Sequence, residues 1–179
     1  MTKSNKVKKT KTPQDMIKGT IHKTIFCGEV EVVKYLNAHN ILVRFKSTGT
    51  TKKTGAQPLR LGKIKDLCTP TVAGVGFIGV GPYGSGFLGG WAYRSWQSLI
   101  ANCYGNGKEV TRAGYYKDWS VHPDWHNFQN FAKWYEGNLP NDGVKYILCR
   151  KKNKKKTYSP CTFFFTTHSC ATSIKHSNK

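Results

Sequence analysis

Residues 93–104 read Y-R-S-W-Q-S-L-I-A-N-C-Y, and residues 115–135 read Y-Y-K-D-W-S-V-H-P-D-W-H-N-F-Q-N-F-A-K-W-Y. In the first stretch Tyr93, Trp96, Ile100 and Cys103 recur at steps of three and four, which places them on one face of a helix. Trp125, Phe128, Phe131, Ala132 and Tyr135 repeat the pattern in the second. Two amphipathic helices with aromatic inner faces follow, one over about 92–104 and one from Pro123 to about Glu136. Pro at an early helical position and Asp124 in the first turn suit that second start. Gly137-Asn138-Leu139-Pro140 stops it. Large rings at this spacing are core residues.

Downstream, Val144 to Cys149 and Thr157 to Phe165 read as two strands joined by a lysine-rich turn. Upstream, residues 70–91 carry eight glycines between Gly74 and Gly90. The G-V-G-F-I-G and G-P-Y-G-S-G strings lack the strand, helix and acid of a dinucleotide fingerprint, and no G-K-S/T follows them. The stretch reads as a Gly-rich connector whose interleaved Val75, Phe77 and Ile78 pack against a neighbouring domain. Further upstream, Thr20 to Ile25, Glu29 to Tyr35 and Ile41 to Phe45 read as strands, with another extended piece beginning at Gln57. Short strands and tight turns over some fifty residues suggest a small SH3-like β-barrel. The expected fold class is therefore α+β, in five parts: a disordered basic arm (1–15), a small β-barrel (16–69), the Gly-rich connector (70–91), a helical plus β-hairpin module (92–165) and a poorly ordered tail (166–179). After the lysine run the composition turns to Ser, Thr, Cys and Phe, as a shift of reading frame in adenine-rich codons would leave it.

The charge narrows the partners. Lys and Arg total 29 against 9 acids, a formal net charge of +20. Lys3, Lys6, Lys8, Lys9 and Lys11 precede the first acid, Asp15, and Arg150 to Lys156 holds six cations. An excess of this size repels itself in a compact chain, so a polyanion is the expected partner, with nucleic acid ahead of an acidic membrane. No run approaches the roughly 20 apolar residues of a membrane span. The lysine-rich N-terminus lacks the apolar stretch of a secretory signal. A cytoplasmic, non-secreted protein is expected, with its six cysteines reduced. Cys149, Cys161, His168 and Cys170 match no common zinc spacing. His122 and His126 flank Trp125 and are expected to face solvent or DNA.

Tyr93-x-x-Trp96-x-x-Leu99 ending in Asn102-Cys103-Tyr104, then Val121-x-x-Asp124-Trp125-x-Asn127-Phe128-x-x-Phe131-x-x-Trp134, and finally Tyr158-Ser159-Pro160, resembles phage-encoded HNH-type homing endonuclease-like proteins. The E-V-E-V-V-K-Y and I-L-V-R-F strands with G-V-G-F-I-G-V-G are similar to a front module that accompanies them, so the likeness spans about 19–165. The resemblance implies metal-dependent cleavage of double-stranded DNA with Mg²⁺ or Mn²⁺ as cofactor, the chemistry residing in the hairpin from Val144 to Phe165 and the helix after it. Within that segment His168 and Asn153 are the candidate catalytic residues, and no metal ligand is identified. Where relatives carry carboxylates on the first strand, this chain reads Tyr146-Ile147-Leu148-Cys149-Arg150. That departure favours an alternative, a non-catalytic DNA- or RNA-binding regulator. The expected phosphate contacts are Lys6, Lys8, Lys9, Arg94, Arg150, Lys151, Lys152, Lys154, Lys155 and Lys156.

Overall fold

A computed structural model of the chain describes residues 11–105, 116, 118–151 and 156–171. It divides into two compact units, Met1–Thr69 and Pro70–Lys179. In the first, β1 (Ile21–Lys23), β2 (Glu29–Asn37), β3 (Asn40–Phe45) and β4 (Thr51–Thr54) form one antiparallel sheet in the order β1-β2-β3-β4. Alternation decides its buried face. Val30 and Val32 stand opposite Phe45 and Val43, and all four are fully buried together with Ile41.

The sheet is open, and the SH3-like barrel expected from the sequence does not form. Closure requires the two edges to be joined, but β1 is only three residues long and β4 only four. The piece expected to extend from Gln57 is instead a helix, α1 (Ala56–Arg60). Pro58 lies in its first turn, where a missing N–H breaks no helical hydrogen bond. Leu59 is fully buried in one cluster with Met16 and Ile64. Helix and loop cover the apolar face that a closed barrel would have turned inward, so the strand pattern suits both solutions.

In the second unit, α2 (Trp91–Tyr104) and α3 (Phe128–Asn138) build the core. Trp96, Ile100, Phe128, Phe131 and Ala132 are fully buried, with Trp125 and Tyr135 nearly so. Trp96 Nε1 donates to the Trp125 carbonyl at 2.6 Å, which satisfies the indole N–H in apolar surroundings. The second helix does not begin at Pro123. Pro123–His126 is a 3-10 turn, and Asn127 leaves the helical region with φ −85° and ψ 118°. Its Oδ1 then accepts the Gln129 N–H at 3.0 Å, capping α3.

The glycine-rich residues run along these helices as a strap. Phe77 forms a bridge with Asn127, and its N–H donates to the His126 carbonyl at 2.9 Å. A Cβ on Gly76 would stand 2.9 Å from the Trp96 ring, and at Gly79, with φ +75°, it would collide with the Asn127 amide. Gln129 holds the strap from α3. Its Nε2 donates to the carbonyls of Ile78 (3.0 Å) and Tyr83 (2.8 Å), and its Oε1 accepts the Tyr83 N–H at 3.0 Å. Val72 is buried in the helical core, and Val75, Tyr83 and Phe87 pack against it. The expected connector thus packs on its own unit, and the glycines serve close approach.

Two short ladders complete this unit. β5 (Ser120–Val121) lies parallel to β7 (Thr157–Tyr158), and β6 (Tyr146–Arg150) antiparallel to β8 (Phe163–Thr167). The strand expected over 157–165 is broken at Ser159–Thr162, where Pro160 has no N–H for a ladder. The buried Thr162 hydroxyl donates to the Thr157 carbonyl at 2.9 Å and accepts the Ser159 N–H at 2.8 Å. Tyr158 and Phe163 belong to the aromatic core, with Phe163 6.0 Å from Trp125 between ring centroids. The Ser-, Thr- and Phe-rich stretch is therefore built into the fold as far as Ala171, itself buried.

Candidate nucleic-acid interface

The β6 end and the β5–β7 ladder bring three expected DNA contacts into one neighbourhood. Arg150 closes β6, and its guanidinium carbon lies 4.2 Å from the Trp119 ring centroid. Lys156 Nζ is 3.2 Å from Asp118 Oδ2, and its carbonyl accepts the Ser120 N–H at 2.9 Å. Lys151 is exposed, with its N–H donating to the Thr162 carbonyl at 2.8 Å. Lys152, Asn153, Lys154 and Lys155, and likewise Lys6, Lys8 and Lys9, lie outside the described residues. Arg94, one turn into α2, lies 4.5 Å over the Trp91 ring, and its Nη2 donates to the Gly89 carbonyl at 3.0 Å. A guanidinium held over an indole and tied to a carbonyl is pre-oriented, with its remaining N–H groups left for a phosphate.

His168 is exposed, one residue beyond β8, at the end where Tyr146 pairs with Thr167. Arg150 pairs with Phe163 at the other end, roughly 13 Å away along the strand. The ladder therefore does not bring His168 to the Arg150–Lys156 neighbourhood. Among the described residues no three His, Cys, Asp or Glu side chains group as metal ligands. The described residues alone therefore assemble no site for the divalent ion that the resemblance implies, and the candidate Asn153 lies outside them.

The histidines beside Trp125 differ from each other. His122 Nδ1 accepts the Asp124 N–H at 3.3 Å and caps the 3-10 turn from an exposed position. His126, expected to face solvent or DNA, is less exposed than His122. It is half-buried, with Nε2 3.2 Å from the Val121 carbonyl and its ring edge-to-face with Tyr104. The Tyr104 hydroxyl in turn accepts the Val121 N–H at 3.0 Å. Nearby, burial pushes the Cys103 thiol up to about 12 and raises the Tyr158 phenol.

A second cationic surface escaped the sequence reading. On the face of the N-terminal sheet turned away from its core, Lys34, Leu42 and Lys53 form one cross-strand row, and Ile21, Glu31, Arg44 and Thr51 the next. Lys34, Arg44 and Lys53 are all exposed. Runs of cations draw attention in a sequence, whereas these converge only through pairing. The available signal was alternation, because Arg44 stands between the buried Val43 and Phe45.

The acids are mostly engaged within the fold. Asp15 pairs with Arg60, Glu29 with Lys46 and Asp118 with Lys156. The Asp15 carboxyl is held below its ordinary range by the Arg60 guanidinium that donates to it. Asp66 is buried, accepting from the Thr48 and Thr69 hydroxyls and the Cys68 N–H. Glu136 accepts from the Tyr83 hydroxyl at 2.6 Å. Asp142 accepts from the Tyr146 hydroxyl at 2.7 Å, which lowers its pKa.

No protein-family model, curated protein or solved structure matches the chain. No helix among the described residues is long and apolar enough to cross a membrane.

Proposed function

We propose that the protein binds nucleic acid, with double-stranded DNA as its partner, mainly through phosphate contacts. The observation that carries this reading is the disposition of charge. Nine acids stand against 29 cations, and the described acids, Glu31 and Asp124 apart, are held by hydrogen bonds or ion pairs to the chain's own groups. Lys34, Arg44, Lys53, Arg94, Arg150 and Lys151 thus project an excess positive field, and a polyanion relieves its self-repulsion.

Duplex is favoured over single-stranded RNA because the aromatic ladder is core. Trp96, Trp125, Phe128 and Phe131 are at most 1% exposed, so they offer no stacking platform to unpaired bases, and among the described Phe and Trp rings only Phe26 and Trp91, one in each unit, are largely exposed. The resemblance to HNH-type endonuclease-like proteins points the same way. Binding takes precedence over cleavage, since the described donors assemble no metal group and His168 stands at the far end of its ladder. Fluorescence anisotropy with a short labelled duplex, and with single-stranded DNA and RNA of the same sequence as competitors, tests the reading. The duplex should bind most tightly, and Arg150→Ala with Lys151→Ala should weaken it. Equal competition by single-stranded RNA would remove the duplex assignment.

A further inference from the structure

The β1–β2 hairpin turns through Thr24-Ile25-Phe26-Cys27-Gly28, and its tip leaves two large apolar side chains in water: Ile25 is 59% exposed and Phe26 69%. Exposure of this kind on a loose loop would mean little, but this tip is braced on every side. The Thr24 N–H and hydroxyl both donate to the Gly28 carbonyl at 2.8 Å, and the same hydroxyl accepts the Cys27 N–H at 2.9 Å. The buried Cys27 accepts the Asp66 N–H at Sγ, 3.2 Å. The Ile25 N–H donates to the Gly62 carbonyl at 3.0 Å. Gly62 has φ +63°, and a Cβ there would stand 2.8 Å from the Lys23 carbonyl, so the two backbones are in contact beneath the tip.

Charge surrounds the tip. Lys65 Nζ lies 5.5 Å from the Phe26 ring centroid, and Lys23 and Lys63 are exposed close by in sequence. Of the neighbouring acids, Glu29 is paired with Lys46 and Asp66 is buried. With Leu61, 52% exposed beside Gly62, and Ile21 (50%) and Leu67 (42%) close by in sequence, the exposed large apolar side chains on and around the tip number five. A protein interface of ordinary size takes about 20 or more residues a side. A stacked base step takes one or two apolar side chains, and the phosphates on either side take the flanking cations.

We propose that the Ile25–Phe26 tip is a wedge that enters double-stranded DNA between adjacent base pairs and unstacks them. The inference rests on the duplex-binding reading. Its bracing means that the tip meets the duplex already ordered, so insertion carries little conformational cost. Phe26 is the leading edge, Ile25 packs beside it, and Lys65 contacts the backbone.

The test uses the full chain and duplexes with 2-aminopurine placed at successive steps, together with dyes at both ends. Wild type should raise 2-aminopurine fluorescence and shorten the end-to-end distance. Phe26→Ala should abolish both signals and weaken binding about tenfold, the effect of losing one stacked contact, with an unchanged melting temperature. Phe26→Leu should retain most of the unstacking, since an aliphatic wedge also parts a base step. If Phe26→Ala binds and unstacks as wild type does, the wedge is overturned while duplex binding stands. A Phe26→Ala chain that melts lower yet still unstacks DNA shows the tip to be an internal packing surface, which also overturns the proposal. Absence of any duplex binding by wild type removes the underlying reading and the wedge with it.

Discussion

Replacing Gln129 tests whether the glycine-rich strap is held by a single buried amide. Its side chain makes three hydrogen bonds to the strap, to the Ile78 and Tyr83 carbonyls and from the Tyr83 N–H. A net value of about 0.5–1.5 kcal/mol for each gives about 1.5–4.5 kcal/mol for Gln129→Ala, and water returning to half-buried Tyr83 places the result toward the lower end. Gln129→Glu should be at least as costly at neutral pH, because its carboxylate would face two carbonyls with no proton to share. That penalty should shrink as pH falls and the carboxyl regains a donor. All five tryptophans lie beyond residue 90, so urea denaturation followed by intrinsic fluorescence reports the second unit alone. Hydrogen exchange at the Phe77 amide, bonded to the His126 carbonyl, reports the strap itself. A Gln129→Ala loss well below about 1 kcal/mol, with Phe77 still protected, would show that glycine packing alone fixes the strap.

Emptying the aromatic core by Trp125→Ala should cost about 3–5 kcal/mol, read by the same denaturation. A variant that keeps full stability but loses DNA would make the ring a contact residue. Burial raises the Cys103 thiol to about 12 and shifts the Tyr135 and Tyr158 phenols the same way. The folded chain then keeps protons that the unfolded chain releases, so stability is fully present below about pH 8.5 and declines as pH rises above it. Cys103→Ala should flatten the first part of that decline, and stability that stays level through this range in the wild type contradicts the burial argument. Supercoiled plasmid incubated with Mg²⁺ or Mn²⁺ should remain uncut, as it does with EDTA. Mg²⁺-dependent nicking that is lost in His168→Ala, with DNA affinity unchanged, would reveal a working nuclease site.

The helical half of the fold was legible because its signal is local. Trp96, Ile100, Trp125, Phe128 and Phe131 follow helical spacing and are fully or almost fully buried. Even there Asn127 breaks the second helix, because a capping side chain inside an aromatic run competes with continued helix. The barrel failed for a different reason. Val30, Val32, Ile41, Val43 and Phe45 were readable as one buried face, but alternation says nothing about what covers it. A five-residue helix at Ala56–Arg60 supplied that cover in place of a strand. The cationic sheet face depends on cross-strand register, which no linear reading supplies, so Lys34 and Lys53 looked unrelated until Leu42 paired with both. Arg150 and Lys156 were legible as charge, but their seating around Trp119 was not, because it follows from the parallel β5–β7 pairing. Asn153, although a candidate from the sequence, falls outside the described residues.

The central claim, phosphate-driven binding to duplex DNA, is tested most directly by the salt dependence of its affinity. If Z phosphates are neutralised, log K should fall linearly with log salt at a slope near −0.9Z, with Z about 5–8 for this distribution of cations. Arg150→Ala and Arg44→Ala should each reduce the magnitude of that slope by about 1, uniformly across DNA sequences. A slope close to zero, or a slope that neither substitution changes, would contradict the account.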